Sequence, residues 1–322
     1  MGLAFKVGLL LAFASLAALL VFFLLCFLRP LAVRVWWRRN ALRRAGLRKT
    51  KLSTAVGKQT VWHGGAGPWL VLLHGAGDQA GTWSKVTPEL KLHFQLLIPD
   101  LAGHGESEPR EGALSLGTLL TGLEQVLAAL PQPDAPLVIA GNSLGAWMAM
   151  LYAQKCPQRV TRVILIDGGP LKDALEIALM PRDREEARRT LDTVLDPSSP
   201  RAPNFVLDDL VRLANSGPIS RLVAAGIADM SKYLLEDKLA VFPLPVHLIW
   251  GASDRLVPLD YAKELQAQLP HCTLSVIERC GHGPQLERPR EFTRVLLQIL
   301  TSESARVSAN DSSVSGQPGK NS

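Results

Sequence analysis

The chain has 322 residues, of which 47% are hydrophobic and 20% are charged, a composition typical of a globular protein rather than a disordered one. Its formal net charge of +6 originates at one end, because ten of the 35 basic residues precede residue 52 and the other 25 are outnumbered by 29 acidic residues. A mildly acidic main body disfavours nucleic acid as a partner. The four cysteines show no CxxC or Cys/His ligand spacing, so the sequence predicts no metal site.

The N-terminus carries a long apolar segment. Residues 7–28 read VGLLLAFASLAALLVFFLLCFL, hold no charge and are numerous enough for a helix to cross a bilayer. A cleaved signal peptide would have a shorter apolar run that ends at a small-residue site, whereas this run ends in Leu-Cys-Phe-Leu-Arg-Pro. We therefore predict an uncleaved transmembrane anchor over residues 1–28.

A basic juxtamembrane segment over residues 29–51 follows the predicted anchor. It contains nine Arg and Lys residues and no acid, whereas Lys6 is the one basic side chain before the apolar run. Because positively charged flanks stay cytoplasmic, we predict that the C-terminal bulk of the chain is cytoplasmic. Trp36 and Trp37 lie among these arginines and suit the headgroup layer of the bilayer, although a solvated basic linker is the alternative.

The rest of the chain alternates short β-rich runs with helix-like stretches. Apolar strands separated by helices predict an α/β fold with a mostly parallel central sheet and helices on both faces. The predicted strands are Trp69–Leu73, Phe94–Ile98, Leu137–Ala140, Val163–Ile166, Val246–Trp250 and Leu274–Ile277. Residues 169–241 are helical in pattern and are predicted to form a cap over the carboxyl edge of the sheet. The core is then 52–168 with 242–300, and residues 301–322 are predicted to be a disordered tail.

One motif predicts a nucleophile. Gly141-Asn142-Ser143-Leu144-Gly145 lies between the predicted strand LVIA and the helix-like stretch AWMAMLYAQ. GxSxG in this context predicts a nucleophile elbow, a turn so tight that its central side chain projects from the edge of the sheet. The hydroxyl would then stand at a helix N-terminus, where amides and the helix dipole favour developing negative charge. Ser143 is therefore the predicted nucleophile.

A serine hydroxyl needs a base at neutral pH, and with such an elbow the partners follow in the order Ser, acid, His. Asp254 follows the strand VHLIW within WGASDRLVP, and His282 follows the last predicted strand within CGHG. We predict that His282 accepts the Ser143 proton and that Asp254 orients the imidazole. Asp167 also ends a predicted strand and is the competing candidate for the acid.

Two backbone amides are expected to bind the oxyanion. The first follows the nucleophile and belongs to Leu144, and the second comes from the loop HGAG after an earlier strand, where we choose Ala76. His74 and His104 lie in glycine-rich turns, and we expect them to hydrogen-bond loop backbone near the site.

Five segments in one order resemble the α/β-hydrolase superfamily, namely LLHGAGDQAGTW, PDLAGHGES, GNSLGAW, LIWGASDRLVP and CGHGPQLERP. With the single anchor, the Arg-rich flank and the compact cap, the chain looks like the membrane-anchored monoacylglycerol lipase branch. This resemblance implies hydrolysis of lipid monoesters, with Ala76 and Leu144 as oxyanion donors. The chain departs from that branch at Asn142 and Leu144, where His or Thr and Met are usual. The elbow and DRLVP also resemble serine-dependent carbon–carbon hydrolases of aromatic-ring breakdown, which lack an anchor.

Two other classes of protein compete with this interpretation. The sequence GAGDQA satisfies the dinucleotide-binding pattern GxGxxA after a strand, and Asp100 ends the next strand, as in a nicotinamide-dependent oxidoreductase. That reading leaves the ordered Ser143, Asp254 and His282 unexplained, so we expect no cofactor. A non-catalytic scaffold on the same fold would usually lack a triad residue, and here none is missing.

The anchor also bears on the substrate. A tethered enzyme meets a lipophilic ester at high local concentration in the bilayer, so we expect a lipid ester such as a monoacylglycerol. Apolar cap residues are candidates to line an acyl tunnel, namely Leu179, Met180, Phe205 and Leu207.

Overall fold

The structure, a computed structural model, describes residues 2–171 and 180–302. Its strands are β1 (Arg48–Thr54), β2 (Gly57–Gly65), β3 (Trp69–Leu73), β4 (Gln95–Pro99), β5 (Leu137–Asn142), β6 (Val160–Ile166), β7 (Val246–Gly251) and β8 (Cys272–Ile277). They form one eight-stranded sheet in the spatial order β1-β2-β4-β3-β5-β6-β7-β8. The pairs among β3 to β8 are parallel, whereas β1–β2 and β2–β4 are antiparallel. The predicted mostly parallel sheet and its six strands are confirmed.

Strands β1 and β2 form a hairpin that the sequence analysis missed. β1 is polar and largely exposed at the edge of the sheet, so it has no apolar alternation to reveal it. Pairing of Thr54 with Gly57 leaves the two-residue turn Ala55-Val56, which lacks the Asn-Gly or Asp-Gly signal of most such turns. Because the hairpin begins at Arg48, the end of the predicted juxtamembrane segment belongs to the sheet.

Helices cover both faces of the sheet. The helices of the described residues are α1 (Leu3–Leu28), α2 (Pro30–Arg44), α3 (Thr87–Leu90), α4 (Leu116–Ala128), α5 (Leu144–Lys155), α6 (Arg184–Val194), α7 (Asn204–Ala214), α8 (Pro218–Ala225), α9 (Ile227–Met230), α10 (Glu236–Leu239), α11 (Leu259–Gln268), α12 (Pro284–Glu287) and α13 (Pro289–Ser302), of which α2 to α5, α11 and α13 pack on the sheet. Alternate residues of β3 point to opposite faces: Val71 packs in a buried cluster with α4, α5 and α11, and Leu70 packs in a second cluster with α2, α3 and α13.

Helix α1 coincides with the predicted anchor. Residues Ala4–Leu28 are apolar and long enough to cross a membrane, and none of their most apolar stretch is buried against the rest of the protein. The helix ends at Arg29, whose φ of −139° and ψ of 52° are not helical, and Pro30 then begins α2. Proline is favoured at this first position because it fixes φ and has no amide that needs a partner.

Helix α2 packs on the sheet-containing core rather than extending from it as a linker. Leu42 in α2 and Leu47 just after it are 0% and 4% exposed, within the same cluster as α3 and α13. The guanidinium of Arg39 bonds to Asp100 at 3.3 Å and to Glu106 at 2.9 Å. The segment predicted as basic linker or headgroup-layer peptide is therefore in part a structural element of the folded domain.

The interval between β6 and β7 is helical over its described residues. It contains α6 to α10 and the 3-10 helix Ser231–Tyr233. Residues 172–179, near the start of the predicted cap, lie outside the described part of the chain. Helix α13 includes the first two residues of the predicted tail, and residues 303–322 are also outside the description.

Candidate active site

The carboxyl ends of β3 and β5 meet where the order of the sheet reverses. From β3 the chain passes to β4 on one side, whereas the next strand, β5, lies on the other side of β3. The loops after β3 and β5 therefore separate and leave a crevice, the usual ligand site of open α/β sheets. Ser143 follows β5 directly, and the loop that contains Gly75 and Ala76 follows β3.

Ser143 occupies a strained turn between β5 and α5. Its φ of 56° and ψ of −120° are rare for a residue with a side chain, and its amide donates a 2.8 Å hydrogen bond to the carbonyl of Ile166 in β6. The turn needs glycine on both sides. A Cβ at Gly141 would lie 2.0 Å from the oxygen of Gly145, and a Cβ at Gly145 would lie 2.4 Å from the oxygen of Leu73. This geometry places Ser143 at the N-terminus of α5.

Asp254 and His282 meet beside this turn, from the loops after β7 and β8. His282 Nδ1 lies 2.8 Å from Asp254 Oδ2. The Asp254 side chain is fully buried, and its other oxygen accepts hydrogen bonds from the amides of Leu256 at 2.9 Å and Val257 at 3.0 Å. The bond at Nδ1 leaves Nε2 for a partner in the cavity, which Ser143 and His282 line together.

Asp167, the competing acid, has a different set of contacts. It follows β6 with a φ of 47°, is 0% exposed, and accepts a 2.8 Å hydrogen bond from the amide of Gly251 through Oδ1. Its Oδ2 is buried without a hydrogen-bond partner among the described residues. Burial, and then the negative charge of Asp254, raise the pKa of Asp167 well above its usual value. The acid that bonds to His282 is Asp254.

Asn142 connects the elbow to the histidine loop, a role that the sequence analysis did not predict. Its Nδ2 donates to the carbonyls of Ile166 at 3.2 Å and His282 at 3.1 Å, and its Oδ1 accepts from Gln285 at 3.1 Å. Because these bonds join β5, β6, the His282 loop and α12, the side chain fixes the distance between the elbow and the base. The only sequence signal was the position of Asn142 inside the elbow motif, next to Ser143.

The predicted oxyanion donors lie next to Ser143. Leu144 is the first residue of α5, and first-turn amides have no acceptor within their own helix. Ala76 lines the same cavity as Ser143. The backbone before it comes so close that a Cβ at Gly75 would lie 3.2 Å from the Cβ of Ser143.

The two histidines in glycine-rich turns bind backbone, as expected. His74 Nδ1 lies 2.8 Å from the oxygen of Gly75, and its Nε2 accepts from the amide of Leu101 at 2.9 Å. His104 Nδ1 lies 3.0 Å from the oxygen of Ala102. Burial, and then the neighbouring His74, lower the pKa of His104 to about 3, so it is neutral. These rings brace the loops after β3 and β4 and do not compete with His282 as the base.

The cavity above Ser143 has a volume of about 550 Å³ and is closed on one side by the cap. Its apolar cap residues are Leu191, Val194, Leu195, Leu210 and Ile219. The prediction for the tunnel residues was wrong for Met180, Phe205 and Leu207, which do not line this cavity, and Leu179 lies outside the described residues. Phe205 instead stacks on Phe27 of α1 with ring centroids 5.2 Å apart, and Leu207 is buried. The sequence shows that α7 is apolar but not how the helix is rotated.

The end of α6 holds the loops that carry Asp254 and His282. The amide of His282 donates to the carbonyl of Val194 at 2.7 Å, and the amide of Arg255 donates to the carbonyl of Thr193 at 3.1 Å. These are carbonyls of the last turn of a helix, which need external donors. The cap is thus bonded to both loops, and a shift of α6 would move His282.

The dinucleotide pattern has another explanation in the structure. The glycine-rich loop after β3 leads into a four-residue 3-10 helix, Ala80–Trp83, and not into the long helix whose N-terminus would bind a pyrophosphate. Asp100 is 1% exposed and its carboxylate accepts from the amides of Ala80 at 2.7 Å and Glu106 at 2.8 Å. The residue that would bind a ribose is therefore committed to internal backbone.

Residues 70–295 match the profile of a family described as Alpha/beta hydrolase family. The chain belongs to this family. The match includes the loop after β3, the elbow, the cap and both loops that carry Asp254 and His282. The resemblance drawn from the five sequence segments is confirmed.

Individual relatives of the alpha/beta hydrolase family agree with this membership. The human protein named monoacylglycerol lipase ABHD6 is 24% identical over 255 residues, covering 73% of this chain and 76% of its own. A 2-hydroxy-6-oxononadienedioate/2-hydroxy-6-oxononatrienedioate hydrolase from Cupriavidus pinatubonensis is 29% identical over 272 residues, covering 77% and 88%. Among solved structures, one described as a membrane phospholipase A, a bacterial virulence factor, has a TM-score of 0.73 and 26% identity, covering 93% and 98%.

Proposed function

We propose that this protein is a serine hydrolase that cleaves carboxylic esters through an acyl-enzyme, with Ser143 as its nucleophile. The observation that carries the proposal is the 2.8 Å hydrogen bond between His282 and the buried Asp254, on the cavity into which the elbow presents Ser143. A hydroxyl beside an imidazole that a carboxylate orients is the arrangement that activates serine for acyl transfer.

In the first half of the reaction, Ser143 Oγ attacks the ester carbonyl carbon while His282 Nε2 accepts the hydroxyl proton. The buried Asp254 keeps the other ring proton on Nδ1 and stabilises the imidazolium that forms. The negative charge that develops on the carbonyl oxygen is bound by the amides of Ala76 and Leu144. The intermediate then collapses, His282 returns its proton to the leaving alcohol, and the acyl group remains on Ser143.

In the second half, a water molecule repeats the attack on the acyl-enzyme. His282 removes a proton from the water, the same two amides bind the oxyanion, and the carboxylic acid leaves as the proton returns to Ser143. The bonds from Val194 to His282 and from Asn142 to the His282 carbonyl hold the base in one place through both halves. No atom other than those of the chain, the ester and water is needed.

The proposed substrate is a lipid ester, such as a monoacylglycerol, taken from the membrane in which α1 is anchored. The cap side of the cavity is apolar, and each methylene buried there gains about 0.8 kcal/mol, or roughly fourfold in affinity. The last turn of α1 also touches the cap, since Phe27 stacks on Phe205. An acyl chain in the bilayer would therefore have a short path to Ser143.

The proposed location of the domain is the cytoplasmic face of that membrane. The asymmetry of basic residues around α1 supports this orientation, because Arg-rich flanks are retained on the cytoplasmic side. Trp36 and Trp37 of α2 are 53% and 46% exposed, so both rings are available to the headgroup layer. A tag at the C-terminus of the full chain should be digested by protease in spheroplasts only after the membrane is opened.

A carbon–carbon hydrolase is the second candidate, supported by the Cupriavidus relative and by the Asn142 that precedes the serine. The two functions would use the same triad. They differ in the carbonyl that Ser143 attacks, which belongs to an ester in the first and adjoins the cleaved carbon–carbon bond in the second. The test is a screen of the full-length protein against p-nitrophenyl esters of increasing chain length, monoacylglycerols and a 2-hydroxy-6-oxo-dienoate. We expect ester turnover that rises with chain length. Cleavage of the dienoate without ester turnover would contradict the proposal.

A further inference from the structure

Two basic side chains line the cavity from two parts of the chain, and a third lies near them. Arg34 of α2 and Lys85, which follows the 3-10 helix Ala80–Trp83, line the cavity. Arg38 lies four residues after Arg34 on α2 and is close enough to act on the charge of Lys85. The pKa of Lys85 is lowered by partial burial and then by the positive charges of Arg38 and Arg34, so the three groups repel one another. Burial, opposed by Asp78, lowers the pKa of Arg38 to about 10.

The carboxylates at this mouth do not balance that charge. Asp78 forms an ion pair with Arg38, its Oδ1 lying 3.7 Å from the guanidinium. Glu287 accepts hydrogen bonds from the amides of Asp196 at 2.9 Å and Gly281 at 3.1 Å, and so holds the cap to the His282 loop. Arg288, the other cation on the cavity, bonds to Ser198 and lies 3.9 Å from Asp196.

Arg34 and Lys85 have no carboxylate partner among the described residues, so their positive charges are available to a ligand. Within residues 2–171 and 180–302, no carboxylate oxygen lies within 4.0 Å of either cation. Lys85 donates one hydrogen bond, 2.6 Å long, to the carbonyl of Leu286, and an ammonium has two further donors. Arg34 is exposed and lines the cavity, and a guanidinium presents five donors in a fork that matches phosphate oxygens.

The cavity thus has two chemically different sides around Ser143. The cap supplies the apolar side chains Leu191, Val194, Leu210 and Ile219, and the mouth supplies Arg34 and Lys85. A neutral monoester offers no anion to these two cations, whereas a ligand with one acyl chain and one phosphate would contact both sides of the cavity.

We propose that Arg34 and Lys85 form a headgroup subsite that selects single-acyl lipid esters bearing a phosphate, the acyl chain lying under the cap and the ester carbonyl at Ser143. The inference rests on the proposed function and names its substrate class. It also gives α2 a role in catalysis, because Arg34 comes from the helix that follows the membrane anchor.

The test compares two esters that differ only in the phosphate, 1-oleoyl glycerol and 1-oleoyl glycerol 3-phosphate, in micelles of a neutral detergent. The full-length protein should have a higher kcat/KM for the phosphate ester. Arg34→Gln and Lys85→Gln should each lower the ratio of the two kcat/KM values roughly tenfold, the effect of losing one charge-assisted hydrogen bond. Because Arg34 and Lys85 lie on different elements, local misfolding of one element would not lower the ratio in both variants.

Arg44→Gln is the matched control, because Arg44 is on the same helix, stacks over Trp37 and does not line the cavity. It should leave the ratio unchanged. An equal fall in Arg44→Gln, or no fall in Arg34→Gln and Lys85→Gln, would overturn the subsite and leave these cations as ligands of bilayer phosphates. Failure of the wild-type protein to cleave either ester would instead count against the proposed function.

A free phosphate ion is the other source of this chemistry. Hydrolysis of a short water-soluble neutral ester is therefore measured in phosphate and in chloride at equal ionic strength. Equal rates support a subsite that needs the tethered lipid phosphate. A rate that responds to inorganic phosphate in the wild type but not in Arg34→Gln would assign the site to the free ion and overturn the lipid assignment.

Discussion

At the scale of single residues, two buried acids end the neighbouring strands β6 and β7 and lie close to each other. The two oxygens of Asp254 accept hydrogen bonds from two amides and meet the imidazole of His282. Asp167 accepts from one amide, that of Gly251, and its second oxygen has no hydrogen-bond partner among the described residues, while burial raises the pKa of its carboxyl. The difference between them lies in hydrogen bonds that the loops supply, not in burial, which they share.

Replacement of each acid by its amide should therefore have unequal effects on catalysis. Asp254→Asn removes the acceptor that fixes the His282 tautomer, and kcat for ester hydrolysis should fall by roughly 10⁴-fold. Asp167→Asn keeps the oxygen that binds Gly251 and should change kcat by less than about tenfold. Steady-state kinetics on a soluble ester measure both values. The reverse ranking would make Asp167 the triad acid.

The raised pKa of Asp167 also predicts how the free energy of unfolding depends on pH. This pKa is raised on folding, so above the ordinary value of 3.8 the native state holds a proton that the unfolded chain releases. The free energy of unfolding of the wild type is then reduced as pH rises, by up to about 1.4 kcal/mol per pH unit until the folded pKa is reached.

Asp167→Asn is neutral at every pH and avoids this loss. The difference in melting temperature, variant minus wild type, should increase from pH 4 towards pH 8. Thermal denaturation of the two proteins at several pH values gives this difference, from which the titrating groups that do not interact with Asp167 cancel. A difference that does not change with pH would mean that Asp167 is ionised in the native state.

At the scale of elements, the parts of the fold that the sequence revealed are those with an apolar period. The strands β3 to β7 are largely buried runs rich in Val, Leu and Ile, and the edge strand β8 still carries Leu274, Val276 and Ile277. The elbow has glycines where backbone atoms approach within 2.4 Å of a would-be Cβ. The hairpin β1–β2 was missed because its edge strand is polar. Helix α2 was not predicted to pack on the domain, because the nine basic residues of segment 29–51 suggested contact with lipid headgroups or solvent. Pro30 and the absence of Gly or Pro up to Gly46 nevertheless indicate a helix there.

The same distinction applies to the candidate site. Ser143, Asp254 and His282 could be chosen from motifs, because each motif describes a local turn and the order of the strands brings the turns together. The bond between Gln285 and Asn142 joins positions 143 residues apart, and Arg34 lines the cavity from a helix far earlier in the chain, so local sequence carries no record of either. The rotation of α7, which turns Leu210 towards the cavity, belongs to the same class of tertiary information.

At the scale of the whole molecule, α1 and α2 are continuous in sequence but belong to different environments. Helix α1 is apolar after Lys6 and almost wholly exposed, whereas α2 packs Leu42 into the core and pairs Arg39 with Asp100. Helix α1 is therefore attached to the domain by a packed helix and not by a flexible tether.

Deletions that separate the two helices test this division. Removal of residues 1–28 should leave a folded domain with nearly intact activity on short soluble esters, but with lower activity on long-chain monoacylglycerols in anionic vesicles. The ratio of the two activities is the measurement, with the full-length protein as reference. An unchanged ratio would show that the anchor only localises the enzyme.

Removal of residues 1–47 is the contrasting deletion. It takes Leu42 and Leu47 from the core, and each such loss costs about 2–5 kcal/mol against a total stability of about 5–15 kcal/mol. We expect this variant to be unfolded or insoluble by circular dichroism and size-exclusion chromatography. A stable, active domain without α2 would contradict the assignment of α2 to the core.

The central claim is that the hydroxyl of Ser143 forms the acyl-enzyme, and covalent labelling with a fluorophosphonate tests it most directly. The wild-type protein should gain one label on the peptide that contains Ser143, as identified by mass spectrometry. Ser143→Ala should keep the same melting temperature, take up no label, and lose ester turnover by several orders of magnitude. Full labelling of Ser143→Ala at another serine, or turnover equal to that of the wild type, would contradict the account.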